Sequence, residues 1–402
     1  MAGTDRVTIV STGFPPNVMG GAEQNAKLLA DYLAECGWDV EVITGAAVLP
    51  RNLPYAIHSV PALRPRPSIV YEPWWAWRTA QRLRPLIAPD RIVHAFDVLS
   101  RGAVAALGYP RTVATIQDVS PICGSITGLL SDGTICTGDT LQNLAHHAHG
   151  TDEHHGLTQW VRLIRYYTAT VIPYRRQLLN QYTALTTVSQ FLRDFLSLPR
   201  ATVVPDLLVP LVATEALPRQ PGPALITVGR LGVDKGTDLL LDALPLLPRF
   251  TATFVGRGNT ETWQQRAAQL GVADRVRFVG PVPLADVAKW YLAADVAVQA
   301  GRWPEPSSRM ILEAMSLGRA VVGPNYAGPA ELITEGCTGR LFERGNAASL
   351  ARTIEQAYQE REALGERARE AAAAYLPSRV GPRYLELYAA LPSSVSTPVM
   401  AA

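Results

Sequence analysis

The stretch Ala224-Leu-Ile-Thr-Val-Gly-Arg-Leu-Gly-Val-Asp-Lys-Gly236 decides the fold. Its first five residues are an apolar run of the length and composition of a buried strand, ending at Val228. A helix-period stretch, Thr237–Leu247, begins where the glycines stop. Strand, short loop and helix are the repeating parts of a parallel α/β layer. Arg230 and Lys235 fall on the connecting loop, at the edge of the sheet. Glycines there let the main chain approach a phosphate, and a helix start adds partial positive charge. The competing reading is an exposed turn with two solvated cations.

The same alternation continues in both directions. Downstream, strands are predicted over 252–255, 275–279, 295–299, 320–323 and 339–342, and one Ala/Glu/Arg-rich helix over 346–373. Upstream, strands are predicted over 7–11, 40–44, 55–60, 91–95, 111–116, 183–188 and 201–204, with a helix over 22–36 that Gly37 closes as a left-handed cap. The proline-rich segment 217–223 reads as a linker. The chain is therefore expected to hold two doubly wound, Rossmann-like α/β domains, 1–216 and 222–376, facing across a cleft, with the ligand at the carboxyl ends of both sheets. An amphipathic helix at about 378–392 is expected to pack back on the first domain, and residues 393–402 to be disordered.

Composition narrows the function. The 402 residues are 48% hydrophobic, enough for a full core in each domain. A formal net charge of +2 argues against a nucleic-acid binder held by bulk electrostatics. Cys36, Cys123, Cys136 and Cys337 are scattered and read as reduced thiols. The N-terminus runs into a strand without a signal peptide, and no apolar run reaches a membrane span, so a cytoplasmic location is expected.

A second motif is Glu305-Pro-Ser-Ser-Arg-Met-Ile-Leu-Glu313. Pro306 holds Glu305 in extended backbone, Ser307 and Ser308 suit an N-cap, and the helix runs from Arg309 to Leu317 and stops at Gly318. Glu313 lies about two turns into a helix whose neighbours are apolar, where a carboxylate needs a partner. The alternative is one solvated and one helix-face glutamate. Two cations able to hold a diphosphate, with two carboxylates able to accept from hydroxyls, describe a sugar-nucleotide site. Near the N-terminus, Gly20-Gly21 opens the first helix and would offer bare main-chain N–H groups to an anion; a plain surface loop is the other reading. The spaced dinucleotide fingerprint is absent, which disfavours a nicotinamide cofactor.

At this point the chain resembles the retaining glycosyltransferases of family 4, which have the GT-B fold. The resemblance covers most of the chain and is densest over 224–345. It rests on Gly229-Arg-Leu with Lys235-Gly236, Phe278-Val-Gly280, Tyr291-Leu-Ala-Ala-Asp295-Val, Glu305-Pro with Leu312-Glu-Ala-Met-Ser-Leu-Gly318, Gly328-Pro-Ala-Glu331 and Gly339-Arg-Leu. It implies transfer of a sugar from a nucleoside diphosphate sugar to an acceptor hydroxyl, with retention and without a metal or cofactor. The chain has no Asp-x-Asp pair, in keeping with this. It also implies that Arg230 and Lys235 bind the diphosphate, Glu305 the transferred sugar, Glu313 the ribose, and that Gly21 faces the reacting phosphate. Gly20, Gly256, Val282, Ser307, Ser308 and Arg309 complete the expected donor set. Two departures stand out. Ser307-Ser308 replaces the family's Phe-Gly, and Gln117, in Thr115-Ile-Gln-Asp118, replaces the active-site histidine. Glutamine can bond a sugar hydroxyl but cannot transfer a proton. In the family's front-face mechanism the leaving phosphate takes the acceptor proton, so Gln117 stays among the expected catalytic residues with Arg230, Lys235 and Glu305. Two alternatives remain open: a non-catalytic sugar-nucleotide-binding protein, and a sugar-nucleotide epimerase on the same fold.

The first domain binds acceptors in the family, and Asp118, His94 and Trp74 are its candidate contacts. His94 reads either as a substitute for the missing imidazole or as a histidine buried at a strand end. Five of the seven histidines crowd into 146–155, which suits an acceptor-covering lid better than a zinc site, since no standard metal spacing is present. The run Trp74-Trp-Ala-Trp77-Arg78 with Arg82 and Arg84 reads as core packing with an exposed basic face; a membrane surface or a stacked acceptor are its alternatives. The expected partners are a nucleotide-sugar donor and a small-molecule or lipid-linked acceptor, with no nucleic acid.

Overall fold

A computed structural model describes residues 5–16, 20–64, 72–123, 127–130, 133–138, 170–212, 215, 217–218 and 221–392. The histidine-rich stretch 146–155 and the tail 393–402 lie outside the described residues. The chain divides into two units, one of Leu208–Leu376 and one of Met1–Leu207 with Pro377–Ala402.

The first unit runs β1 (Arg6–Ser11), α1 (Gly21–Glu35), β2 (Asp39–Thr44), β3 (Ala56–Ser59), α2 (Glu72–Leu83), β4 (Ile92–Ala95), α3 (Val98–Ala105), β5 (Thr112–Ile116), α4 (Ile172–Leu179), β6 (Ala184–Thr187), α5 (Gln190–Phe195) and β7 (Thr202–Val203). Its seven strands are ordered β3-β2-β1-β4-β5-β6-β7, and every pairing is parallel. Strands β4 and β5 are buried along their whole length, as a sheet covered by helices on both faces requires. The order reverses at β1, which pairs with β2 on one side and β4 on the other. The loops leaving β1 and β4 therefore diverge at the carboxyl edge and leave a crevice there.

The second unit repeats the plan with β8 (Ala224–Val228), α6 (Thr237–Ala243), β9 (Thr251–Val255), α7 (Thr260–Gln269), β10 (Val276–Gly280), α8 (Leu284–Leu292), β11 (Val296–Val298), α9 (Arg309–Ser316), β12 (Ala320–Pro324), α10 (Ala327–Leu332), β13 (Arg340–Phe342), α11 (Ala347–Gln359) and α12 (Arg361–Ala372). Its six strands are ordered β10-β9-β8-β11-β12-β13, again all parallel. Here the order reverses between β8 and β11. The last helix, α13 (Pro377–Ala389), belongs to the first unit. Its Tyr384 and Tyr388 are buried, and a Cβ at Gly381 would run into the Tyr32 ring of α1.

Four local readings are corrected. The single helix expected over 346–373 is two, broken at Glu360, whose carboxylate takes two bonds from Arg340 (2.7 and 2.6 Å). The break turns α12 onto α9, where Gly365 lies against the Gly318 carbonyl. Helix α6 stops at Ala243 and continues as a 3-10 turn, because Pro245 supplies no N–H and its ring crowds the preceding turn. The second unit begins before the proline-rich segment: Leu208 is buried beside Ile226 and Val255, and its N–H donates to the Tyr375 carbonyl at 2.8 Å. In α2 the inner face is filled by Ala76, Thr79, Ala80 and Leu83, with Trp75 packed beside them. Trp74 and Trp77 are not core residues, being 53% and 55% exposed.

Candidate active site

In the second unit, the loops after β8 and β11 are stitched together at the carboxyl edge of the sheet. Gly236 sits at φ +73° with its Cα against the Ala300 carbonyl, so any side chain there would force the loops apart. Gly256, at φ +147°, lies in the same way against Gly229. Arg302 binds Asp238 at 2.7 Å, and its N–H donates to the Asp234 carbonyl at 2.9 Å. These contacts set the height of both loops above the strand ends.

Lys235 and Glu305 meet on this frame. Lys235 Nζ lies 2.9 Å from Glu305 Oε1 and 4.6 Å from the centre of the Trp303 ring. The second oxygen of Glu305 accepts from Gln299 Nε2 at 2.5 Å and Trp303 Nε1 at 3.2 Å. Glu305 is thus a buried carboxylate with donors on both oxygens, as a buried charge requires. Arg230 is more exposed and is gripped by Asp234 through both terminal nitrogens, at 2.5 and 3.3 Å. Arg230, Lys235, Glu305 and Ser308 line one recess.

Ser308 stands at the N-cap position of α9, but its hydroxyl makes no capping bond. Instead Ser308 Oγ is buried and bonds to no protein atom. The capping expected of this serine is therefore corrected, and Ser308 is instead one of the residues that line the recess. Ser307 is half-buried in the same turn. Val282, between β10 and α8, packs against the apolar cluster beneath.

The partner that Glu313 requires is present. Tyr291 Oη donates to its Oε2 at 3.2 Å, and both residues are buried. Burial raises the Glu313 carboxyl above the ordinary range, and the charge of Arg309, one turn earlier, opposes the rise. The sequence assigns no site role to Tyr291, Asp234, Gln299 or Trp303. Gln299 follows directly on β11 and Trp303 lies two residues before Glu305, so position alone could have flagged both.

In the first unit, the Gly20 N–H is already taken: Glu23 Oε2 accepts it at 2.9 Å. The bare anion site expected at Gly20-Gly21 is corrected on this point, since a buried carboxylate closes the first amide. Burial raises the Glu23 carboxyl. Gln117 follows β5, and its Nε2 is enclosed without a protein partner. Asp118 is bound by Arg101 at 3.1 Å and by the Ser120 N–H at 2.9 Å. Burial alone would raise its carboxyl, but Arg101 and Ser120 outweigh it and hold it below the usual range.

His94 is corrected as an acceptor contact, because it is 0% exposed. Its Nδ1 lies 2.6 Å from Tyr388 Oη and its Nε2 2.7 Å from Thr115 Oγ1. Burial pulls its pKa down to about 3. Trp74 lies on the outer face of α2 with Arg78 stacked over its ring at 5.2 Å. Cys123 and Cys136 are buried, and among the described residues no group of three His, Cys, Asp or Glu side chains could hold a metal ion.

Two family models match, "Glycosyl transferases group 1" over residues 214–374 and "Glycosyltransferase Family 4" over 19–205. The chain is 32% identical over 175 residues to the lipopolysaccharide core biosynthesis glycosyltransferase LpsE of Rhizobium meliloti, covering 42% of this chain and 51% of that one. The chain spans about half the length of the first curated relatives it matches. Among solved structures, sucrose-phosphate synthase from Thermosynechococcus elongatus superimposes with a TM-score of 0.73 at 18% identity, covering 96% of this chain and 100% of that one. HepE from Anabaena, solved with UDP and glucose, gives 0.69 at 19% identity over 96% and 100%. At these identities the likeness speaks for the fold.

Proposed function

The chain belongs to the family 4, group 1 glycosyltransferases, and from this premise we propose that it moves a sugar from a nucleoside diphosphate sugar to an acceptor hydroxyl, with retention and without a metal. The observation that carries the reading is the meeting of Lys235 with Glu305, 70 residues apart in sequence, in a recess that Arg230 and the free Ser308 hydroxyl also line. Two cations beside a carboxylate are what a diphosphate and a polyhydroxyl group require together. HepE, of the same fold, binds UDP and glucose.

On this reading the second unit takes the donor and the first unit the acceptor. Arg230 and Lys235 stabilise the negative charge that grows on the departing diphosphate. Glu305 exchanges its bond to Lys235 for hydroxyls of the sugar, while Gln299 and Trp303 keep it in place. Glu313, aligned by Tyr291, accepts from the ribose. The bond from the anomeric carbon to the diphosphate oxygen breaks, and the acceptor oxygen bonds the same face of that carbon. The acceptor proton passes to the leaving diphosphate, so Gln117 serves as a hydrogen-bonding group only.

The test is a thermal-shift screen of the full chain against nucleoside diphosphates and their sugars, since a ligand of the native state raises its apparent stability. Products formed with an acceptor panel are then analysed for anomeric configuration, with and without chelator. Binding without transfer to any acceptor would favour the non-catalytic alternative that Gln117 motivates. An inverted product would refute retention.

A further inference from the structure

The outer face of α2 is built for contact with something other than its own fold. The inner face is already complete: Ala76 packs on Gly102 of α3, where an added Cβ would stand 3.1 Å from it, and Thr79, Ala80 and Leu83 are fully buried. Trp74 and Trp77, one turn apart, stand on the other side, each more than half exposed. Arg78 lies over the Trp74 ring, Arg82 is exposed one turn on, and Leu86 just beyond the helix is 42% exposed. Water is a poor solvent for two indoles, and a monomer with no use for them has no reason to keep them there.

Charge identifies the occupant. From 72 to 87 there is one acidic residue, Glu72, and it is buried in a pair with Arg175 at 2.9 Å. The exposed face is therefore basic and aromatic with no acid on it. Arginine and tryptophan on one side of a short helix match the headgroup layer of a bilayer, where indole rings settle and guanidinium groups meet lipid phosphates. A helix surface is convex and offers no groove for a sugar or a peptide. Among the described residues no helix is long and apolar enough to cross a membrane.

We propose that the outer face of α2, through Trp74, Trp77, Arg78 and Arg82, docks this protein on an anionic lipid surface. The first turn of α2 is anchored to the carboxyl edge of the first sheet, since Arg175 binds both Glu72 and the Ser120 carbonyl at 3.3 Å. The proposal does not depend on the glycosyl-transfer reading.

The experiment is co-sedimentation of the full chain with vesicles of phosphatidylcholine alone and of phosphatidylcholine with equimolar phosphatidylglycerol. Binding is expected to the anionic vesicles only and to weaken as salt is raised. Tryptophan fluorescence should be quenched by lipids brominated near the headgroup. An Arg78→Gln/Arg82→Gln variant should bind roughly 25-fold more weakly, about fivefold per arginine. A Trp74→Ala/Trp77→Ala variant should lose the quenching, and both should melt with the parent protein because the residues are exposed. Equal binding to neutral vesicles, no binding to either, unchanged binding by the arginine variant, or capture of soluble oligosaccharides without any vesicle binding would each overturn the proposal.

Discussion

Lys235 and Glu305 form an ion pair 2.9 Å long whose members differ in exposure, 26% for the lysine side chain and 11% for the glutamate. The lysine is the movable partner. Glu305 keeps Gln299 and Trp303 when the ammonium turns to another anion, so the pair can open without leaving a buried charge unsolvated.

It follows that Lys235→Ala and Arg230→Ala should each lower turnover by about a hundredfold or more, the scale of losing one preorganised charge contact. The fold should persist, because Glu305 stays bonded and Arg230 is 58% exposed. Transfer kinetics and a melting curve on the same preparations check this. Near-normal rates in both variants would contradict the assignment.

Asp234 is the anion that holds Arg230 before a donor arrives. Asp234→Asn removes one negative charge beside the proposed diphosphate and frees the guanidinium. The nucleoside diphosphate should bind severalfold more tightly, while kcat falls because the arginine is no longer oriented. Calorimetric titration set against steady-state rates separates the two effects, and a parallel loss of both would count against Asp234 as a positioning group.

The Ser308 hydroxyl gives predictions of opposite sign for free and liganded protein. Removing an unpartnered buried hydroxyl by Ser308→Ala should leave the free protein as stable or more stable, by up to about 1 kcal/mol. The same change should weaken nucleotide-sugar binding severalfold if a ligand completes that hydroxyl. A melting curve of the variant with and without donor reads both.

His94 supplies a pH prediction. Its folded pKa, near 3, lies below the unfolded value of about 6.5. The unfolded chain therefore binds the extra proton first as pH falls. The stability from the neutral ring is complete above about pH 6.5 and is lost as pH drops toward 3. Denaturant unfolding between pH 7 and 4 should show this slope, and His94→Gln should flatten it while lowering stability at pH 7 through loss of the Tyr388 and Thr115 contacts.

Much of the fold was legible because parallel strands are buried on both faces and announce themselves as apolar runs. Ala224–Val228 was read to the residue. The missed break at Glu360 lies in a segment of uniform helix formers, where tertiary contacts with Arg340 and Gly318 decide and local propensity does not. In the site, the cations and glutamates were visible as motif residues. Their holders were not: Asp234 reaches Arg230 across a turn, Gln299 and Trp303 reach Glu305, and Tyr291 reaches Glu313 across 22 positions. The Gly20 amide was misjudged because Glu23, three residues on, looks like an ordinary first-turn acid until its burial is seen.

The return of α13 to the first unit has a consequence for folding. The second unit is an insertion, complete once Leu376 has been made. The first unit is then still waiting for Tyr384 and Tyr388, which close over His94 and α1. The inserted unit holds all of its own chain, whereas the host locks only when α13 is available to it. A chain truncated after Leu376 would carry a complete inserted unit and a protease-sensitive amino-terminal half.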